Sequence, residues 1–150
     1  MKEDRIFQGD DWTVQTDPAT ADVEALRERL RAFNGSRADM AGGQELAVFL
    51  RNGGGDLAAG ISGWLWGEVL EIDYLWVDEP LRGKGVGGRL LRTLEDEARE
   101  RGGRQAILDT FDFQASDFYQ AQGYEVLGVI EGYGVGHQKY FLRKSLIEGK

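Results

Sequence analysis

The sequence holds no cysteine, only two prolines and a single histidine in 150 residues. Without cysteine there is no disulfide framework, no thiolate zinc site and no thiol nucleophile to carry an acyl group. One histidine cannot build a multi-histidine metal centre, so no metal site is expected. Long apolar runs are missing as well. Stretches such as Leu46–Leu50 fall far short of the roughly 20 residues that a bilayer span requires. The first residues lack the basic, apolar and small-residue succession of a signal peptide, so cytoplasmic residence is the expectation. Positive charge is also scarce, with 18 basic residues against 26 acidic ones, a net charge of −8. That balance disfavours nucleic acid and anionic membranes as partners and suits a cationic one.

What is present describes one globular domain over residues 1–150. Apolar residues make up 41% and charged residues 29%, the ordinary proportions of a folded soluble chain. A chain of this length buries roughly 68–70% of its unfolded surface and needs no metal or disulfide to hold it. Glycine is the excess: 22 residues, about twice the ~7% average usage. The glycines are dispersed in short clusters, which points to turns and to places where a backbone is approached closely.

Met1–Asp10 is polar and reads as loose. Trp12–Thr16 alternates like a short strand closed by Asp17-Pro18. Val23, Leu26, Leu30 and Phe33 recur at helical spacing from Thr20 or Ala21, and Asn34-Gly35 predicts the stop. Glu45–Arg51, Asp56–Trp66 and Val69–Val77 are three strands joined by turns at Asn52–Gly55 and Gly67-Glu68, hence an antiparallel meander. After a loop over Asp78–Arg82, the spacing of Leu90, Leu91, Leu94 and Ala98 predicts a helix from Val86 to about Arg101. Gln105–Asp109 is a short strand, and the strand–helix–strand order makes it a right-handed parallel partner of Val69–Val77. Ser116 is placed to cap a short helix through Ala121. Strands at Tyr124–Ile130 and Gln138–Ser145 follow, joined by a glycine-rich turn over Glu131–His137. The fold class is therefore α+β, with flanking helices on a mixed, mostly antiparallel sheet.

Arg82-Gly83-Lys84-Gly85-Val86-Gly87-Gly88 joins a strand to a helix N-terminus. Backbone N–H groups there lack helical partners and the dipole is positive, so the segment suits phosphate or pyrophosphate. Arg82, Lys84 and Arg89 add positive charge to an otherwise acidic chain. A P-loop would need Ser or Thr after Gly-Lys, and Gly85 stands there. Gly83, Gly85 and Gly88 spell the dinucleotide fingerprint, with Asp109 ending the next strand. That fingerprint should follow its strand at once, whereas residues 78–82 intervene and a meander precedes.

The third reading fits more of the chain. The segment Arg82–Gly87 resembles the Q/R-x-x-G-x-G/A signature of the GNAT superfamily of N-acetyltransferases. Tyr74–Leu81 is similar to that family's strand and loop before the signature. Phe118-Tyr119-Gln120-Ala121-Gln122-Gly123-Tyr124 resembles its F/L-Y-x-x-x-G-F/Y segment, and Gly136–Lys144 its final strand. The resemblance covers about residues 12–146. It implies an α/β/α-like fold in which acetyl-CoA lies between two parallel strands that splay apart, here Val69–Val77 and Gln105–Asp109. The pantetheine arm would pair with the backbone at Leu75, Trp76 and Val77. The pyrophosphate would take the N–H groups of Arg82, Gly83, Lys84, Gly85, Val86 and Gly87. Asp112 stands where the family often has a cofactor-binding asparagine. Tyr119 matches the tyrosine beside the sulfur and would protonate the departing thiolate; core packing beside Phe118 is the other reading.

The base is open among Glu71 and Asp73, which share a strand face, Asp109 and the lone His137. Trp64, Trp66, Phe111, Phe113 and Tyr133 are candidates for the acceptor cleft. The expected enzyme acetylates a primary amine of a small molecule by direct transfer in a ternary complex. Acetylation of a protein N-terminus or lysine, and an idle CoA-binding module, are the rivals. A homodimer is expected.

Overall fold

The computed structural model describes residues 12–38 and 42–147, which divide into two compact units separated between Met40 and Ala41. The reading of Met1–Asp10 lies outside the described residues.

The first unit is built on helix α1, Thr20–Arg37. Glu24–Arg27 and Glu28–Arg31 pair across single turns of it. The strand expected at Trp12–Thr16 does not form. Alternation alone does not make a strand, which needs a neighbouring ladder, and Asp17 turns the chain at φ 50° just before Pro18. The helix also runs past Asn34-Gly35. Ser36 Oγ donates to the Phe33 carbonyl at 2.7 Å and the Ala38 N–H to the Asn34 carbonyl at 2.9 Å, so the stop falls after Arg37. A glycine inside a helix costs only about 1 kcal/mol, and here the helix carries it.

The second unit is a six-stranded sheet. Strands β1 (Gln44–Arg51), β2 (Leu57–Trp66) and β3 (Val69–Val77) form the expected meander. A 3-10 turn at Glu79–Leu81 leads to α2 (Val86–Glu100), then β4 (Gln105–Phe111), α3 (Ser116–Ala121), β5 (Glu125–Tyr133) and β6 (His137–Ser145). The sheet order is β1-β2-β3-β4-β6-β5. Only β3 and β4 are parallel; every other pair is antiparallel. The α+β class with one parallel pair is thus the observed one.

The core lies against one face of this sheet. Leu90, Leu91, Leu94 and Ala98 of α2 pack on Ile61, Leu70, Ile72, Ala106, Leu108 and Leu142. Glu95 sits among them, 1% exposed. It accepts hydrogen bonds from the Tyr124 hydroxyl at 2.7 Å and the Lys144 ammonium at 3.0 Å.

Three boundaries differ from expectation. β4 runs two residues further, to Phe111, because β6 continues to pair with it through Thr110↔Tyr140 and Phe111↔Lys139. Ser116 is the first residue of α3 rather than its cap, and its Oγ accepts from Gln120 Nε2 at 3.1 Å. The β5–β6 turn is confined to residues 134–136, with Gly134 and Gly136 at positive φ. His137 therefore opens β6, opposite Tyr133, instead of lying in the turn.

One irregularity positions the site. The β2–β3 register passes from Ser62↔Tyr74 to Gly63↔Ile72, so Asp73 is an extra residue in β3. Such a bulge bends and twists its strand. It also swaps the faces: Leu70 and Ile72 are buried before it, whereas Leu75 and Val77 are the more covered residues after it. Gly63 is obligatory beside the bulge. A Cβ there would lie 2.7 Å from the Glu71 carbonyl oxygen.

Candidate active site at the splayed strands

β3 and β4 pair through only three residues, Val69↔Gln105, Leu70↔Ala106 and Glu71↔Ile107. From the bulge onward they diverge, and residues 72–77 have no partner strand on the β4 side. The Asp78 N–H donates to the Ala58 carbonyl at 2.9 Å. By alternation Trp76 also turns its backbone to β2, while Leu75 and Val77 turn theirs to the open edge. This opening at the carboxyl ends of two parallel strands is the crevice where ligands of α/β sheets bind.

The glycine loop borders the same end of β3. Gly83 and Gly85 have φ of 76° and 83°, and a Cβ on either would meet no atom within 4 Å. Gly85 occupies the N-cap position of α2, and across this terminus the Arg89 N–H donates to the Gly85 carbonyl at 3.1 Å. The loop therefore sits at the positive end of the helix dipole. Arg82 departs from its expected part. Its N–H donates to the Glu79 carbonyl at 3.1 Å. Its Nε donates to the Val77 carbonyl at 2.8 Å, and its guanidinium stacks 4.8 Å from the Trp76 ring. Trp76 in turn donates to Asp78 at 2.8 Å. Arg82 thus braces the loop on β3, and its own N–H is engaged within the chain. Lys84 is exposed at the loop tip.

Gly87 ties the loop to α3, its Cβ position being 3.5 Å from the Phe118 ring. Tyr119 follows, 6% exposed and edge-on to both Phe118 and Tyr124, with ring centroids 5.1 and 5.7 Å away. Burial pushes its phenol up to about 12. It is a core side chain and, by the same burial, an acid that stays protonated.

Glu71 and Asp73 are both exposed on the face opposite the core. Desolvation raises the Asp73 carboxyl, and Glu45 and Asp109 raise it further by repulsion. Asp109 faces Lys139 at 3.6 Å. Among the described residues no group of three or more His, Asp or Glu side chains is arranged to hold a metal.

Of the aromatic candidates, Phe111, Phe113 and Tyr133 come together. Phe111 stacks on Phe113 at 5.2 Å and meets Tyr133 edge-on at 5.2 Å. Lys139 Nζ lies 4.8 Å from the Phe111 ring and 5.1 Å from that of Tyr133. Trp64 and Trp66 form a separate pair at 5.8 Å. Trp66 stands opposite Val69, at the closed end of the strand pair, and so away from the opening. The sequence reading missed how Asp112 is used. It lies 3.2 and 3.4 Å from His137 Nδ1 through its two oxygens and accepts from the Gln138 N–H at 3.3 Å. Desolvation works to raise its carboxyl. Bonds from the Gln138 N–H, the His137 ring and the Phe113 N–H outweigh it and hold the group below the ordinary range. The β4–β6 register, which sets Phe111 opposite Lys139, is the signal that would have brought Asp112 beside Gln138.

A parallel strand pair that splays apart, with a glycine loop at a helix N-terminus beside it, is the geometry the resemblance implied; the bulge that opens the pair comes from the β2–β3 register. Residues 10–124 match the model of the acetyltransferase (GNAT) family. The chain belongs to that family. The acetyltransferase is 41% identical over 93 residues to a blasticidin-S acetyltransferase of Streptomyces morookaense, covering 61% of this chain and 68% of the relative. It is 31% identical over 132 residues to an acetyltransferase of Agrobacterium fabrum, covering 87% and 96%. A crystal structure of an acetyltransferase from Agrobacterium tumefaciens superimposes with a TM-score of 0.80 at 30% identity, covering 89% of this chain and 98% of the other. The chain is therefore an enzyme that transfers acetyl groups. No helix among the described residues is long and apolar enough to cross a membrane.

Proposed function

We propose that this acetyltransferase acetylates a primary amine of a small cationic molecule, by direct transfer within one ternary complex. The observation that carries the reading is the opening between β3 and β4, with Glu71, Asp73 and Asp109 on the strands that bound it. Two further facts support it. The chain has no cysteine to hold an acetyl group between half-reactions, and a relative bears the name of an acetyltransferase for an amine-bearing antibiotic.

In this reading residues 1–150 act as one domain. The backbones of Leu75 and Val77, with Trp76 between them, pair with the pantetheine arm. The N–H groups of Gly83, Lys84, Gly85, Val86 and Gly87 hold the pyrophosphate, and Arg82 fixes the loop that presents them. The donor supplies an activated acetyl thioester. Glu71 and Asp73 meet the acceptor's ammonium group, and the raised Asp73 carboxyl is stabilised when a cation arrives. Tyr119 gives its hydroxyl proton to the departing sulfur, and burial keeps the phenol protonated so that the proton is present to be given. The protein works in the cytoplasm, and as a homodimer whose mass sedimentation equilibrium would read.

The test is CoA thiol release with a panel of nucleoside antibiotics, aminoglycosides, polyamines and amino acids, with mass spectrometry for the added acetyl group. Turnover with at least one small amine is expected. Transfer only to protein N-termini or lysines overturns the acceptor class, and acetyl-CoA binding without any transfer makes the chain an idle module.

A further inference from the structure

The single histidine is not a bare surface side chain. Its Nδ1 lies 3.2 and 3.4 Å from the two oxygens of Asp112. A carboxylate only accepts, so Nδ1 carries the hydrogen, and in the neutral ring Nε2 then holds the lone pair. The ring is fixed a second time by the edge-on contact with Phe113, centroids 5.0 Å apart. Asp112 is fixed by the Gln138 N–H, and the backbone around it by the Asp112 N–H donating to the Gln138 carbonyl at 2.9 Å.

The pair also stands in the right place. Asp112 follows the last residue of β4, the strand that borders the opening. It lines a pocket of about 330 Å³ together with Gln114, Ser116, Phe118 and Tyr140, and Phe118 is the neighbour of Tyr119 and the residue packed on Gly87 of the loop. His137 is half exposed, so Nε2 is reachable by a small molecule. The titratable groups around the ring are Asp112 from the turn after β4, Tyr133 across the β5–β6 hairpin and Lys139 two residues along β6.

We propose that His137 is the base that takes the proton of the attacking amine, with Asp112 as the residue that positions it. The inference rests on the amine reading above and adds the group that accepts the proton. The bound ammonium first gives one proton to bulk water, which frees the nitrogen lone pair. Nε2 then removes a second proton as that lone pair bonds to the acetyl carbon. The carbon–sulfur bond breaks, its electron pair stays on sulfur, and sulfur takes the Tyr119 hydroxyl proton. The imidazolium returns its proton through water to the phenolate, so the enzyme is restored and the one net proton is the one given to bulk water. Carboxylates such as Glu71 attract the ammonium well but are weak bases toward it. An imidazole is the side chain whose ordinary range lies nearest neutrality.

The experiment uses the full chain with the amine that responds most strongly in the panel. His137→Gln should lower kcat roughly 10²- to 10⁴-fold, while the rise in Tm on adding acetyl-CoA is retained. The acidic limb of the wild-type kcat/KM profile should vanish in that variant. His137→Ala should recover part of its rate when imidazole is added. Asp112→Asn should lose at least about tenfold in kcat, since an amide no longer fixes the tautomer. Turnover in His137→Gln within threefold of wild type overturns the assignment, and so does a loss of rate that imidazole does not rescue. If the wild type acetylates no amine, the reading of the function falls instead. If it does and His137→Gln matches it, only the base falls.

Discussion

At the scale of single residues, Tyr119 and Lys144 show how one environment serves two purposes. Tyr119→Phe keeps the ring that packs between Phe118 and Tyr124 and deletes only the hydroxyl. Its kcat should fall roughly 10²- to 10⁴-fold with acetyl-CoA affinity nearly unchanged. The sign of the pH effect follows from burial. A phenol raised to about 12 stays protonated through pH 10, where an exposed tyrosine would already be half ionised. The alkaline limb of the wild-type rate should therefore begin above pH 10 wherever Tyr119 limits it. Turnover of the variant equal to wild type would hand the acid role to water. Lys144 belongs to stability alone. Lys144→Met leaves the Glu95 carboxylate buried with only the Tyr124 hydroxyl beside it. Removing one partner of a buried pair costs about 3 kcal/mol or more, which for a domain of this size lowers Tm by roughly 6–12 °C. A shift under 2 °C in differential scanning calorimetry would mean that the ammonium contributes little.

At the scale of elements, the loop before α2 separates backbone geometry from charge. Gly85 is held at φ 83°, a left-handed conformation that costs any other residue roughly 1–2 kcal/mol. Gly87 is not in that region, and a Cβ there meets the Phe118 ring at an ordinary 3.5 Å. Gly87→Asp should fold with nearly wild-type Tm and still lose acetyl-CoA binding, because it puts an anion where phosphate must approach. Unchanged affinity by calorimetric titration would move the pyrophosphate elsewhere.

The meander, α2 and the parallel crossover were legible in the sequence because each rests on a local pattern: period two, period 3.6 or a glycine turn. The bulge at Asp73 was not, because alternation from Val69 to Val77 reads as one unbroken strand and only the β2 register exposes the extra residue. The Asp112–His137 pair was hidden for a related reason, since the β4–β6 register brings its two segments together. The Arg82 brace is local, but residue spacing alone does not say that the side chain folds back on Val77 and Trp76. The false strand at Trp12–Thr16 is the converse, a local pattern with no ladder to realise it.

At the scale of the whole molecule, the family match fixes the reaction class and the fold, and the proposed donor and acceptor are open to two solution measurements. Acetyl-CoA should raise Tm in a concentration-dependent way, since a ligand bound only by the native state stabilises it by mass action. NAD should leave Tm unchanged, because the glycine loop follows a meander and a 3-10 turn instead of directly ending a strand. Stabilisation by NAD alone would reverse the choice between the two phosphate-binding readings. The net charge of −8 gives the molecule a field that draws cationic acceptors inward, and salt should weaken that attraction.

The extra residue at Asp73 also sets a clock on the backbone. Residues of β3 that face β4 before the bulge are locked in a ladder, whereas the Leu75 and Val77 amides face an edge with no strand beside it. In deuterium exchange the Leu70 amide, in the buried and paired half, should be among the slowest of the strand. The Leu75 amide should exchange orders of magnitude faster in the free protein, since an unpaired amide needs no opening event. Adding acetyl-CoA should slow Leu75 selectively, as the pantetheine arm takes the place of the missing strand. One inserted residue would then have divided a nine-residue strand into a permanent half and a half completed only by substrate.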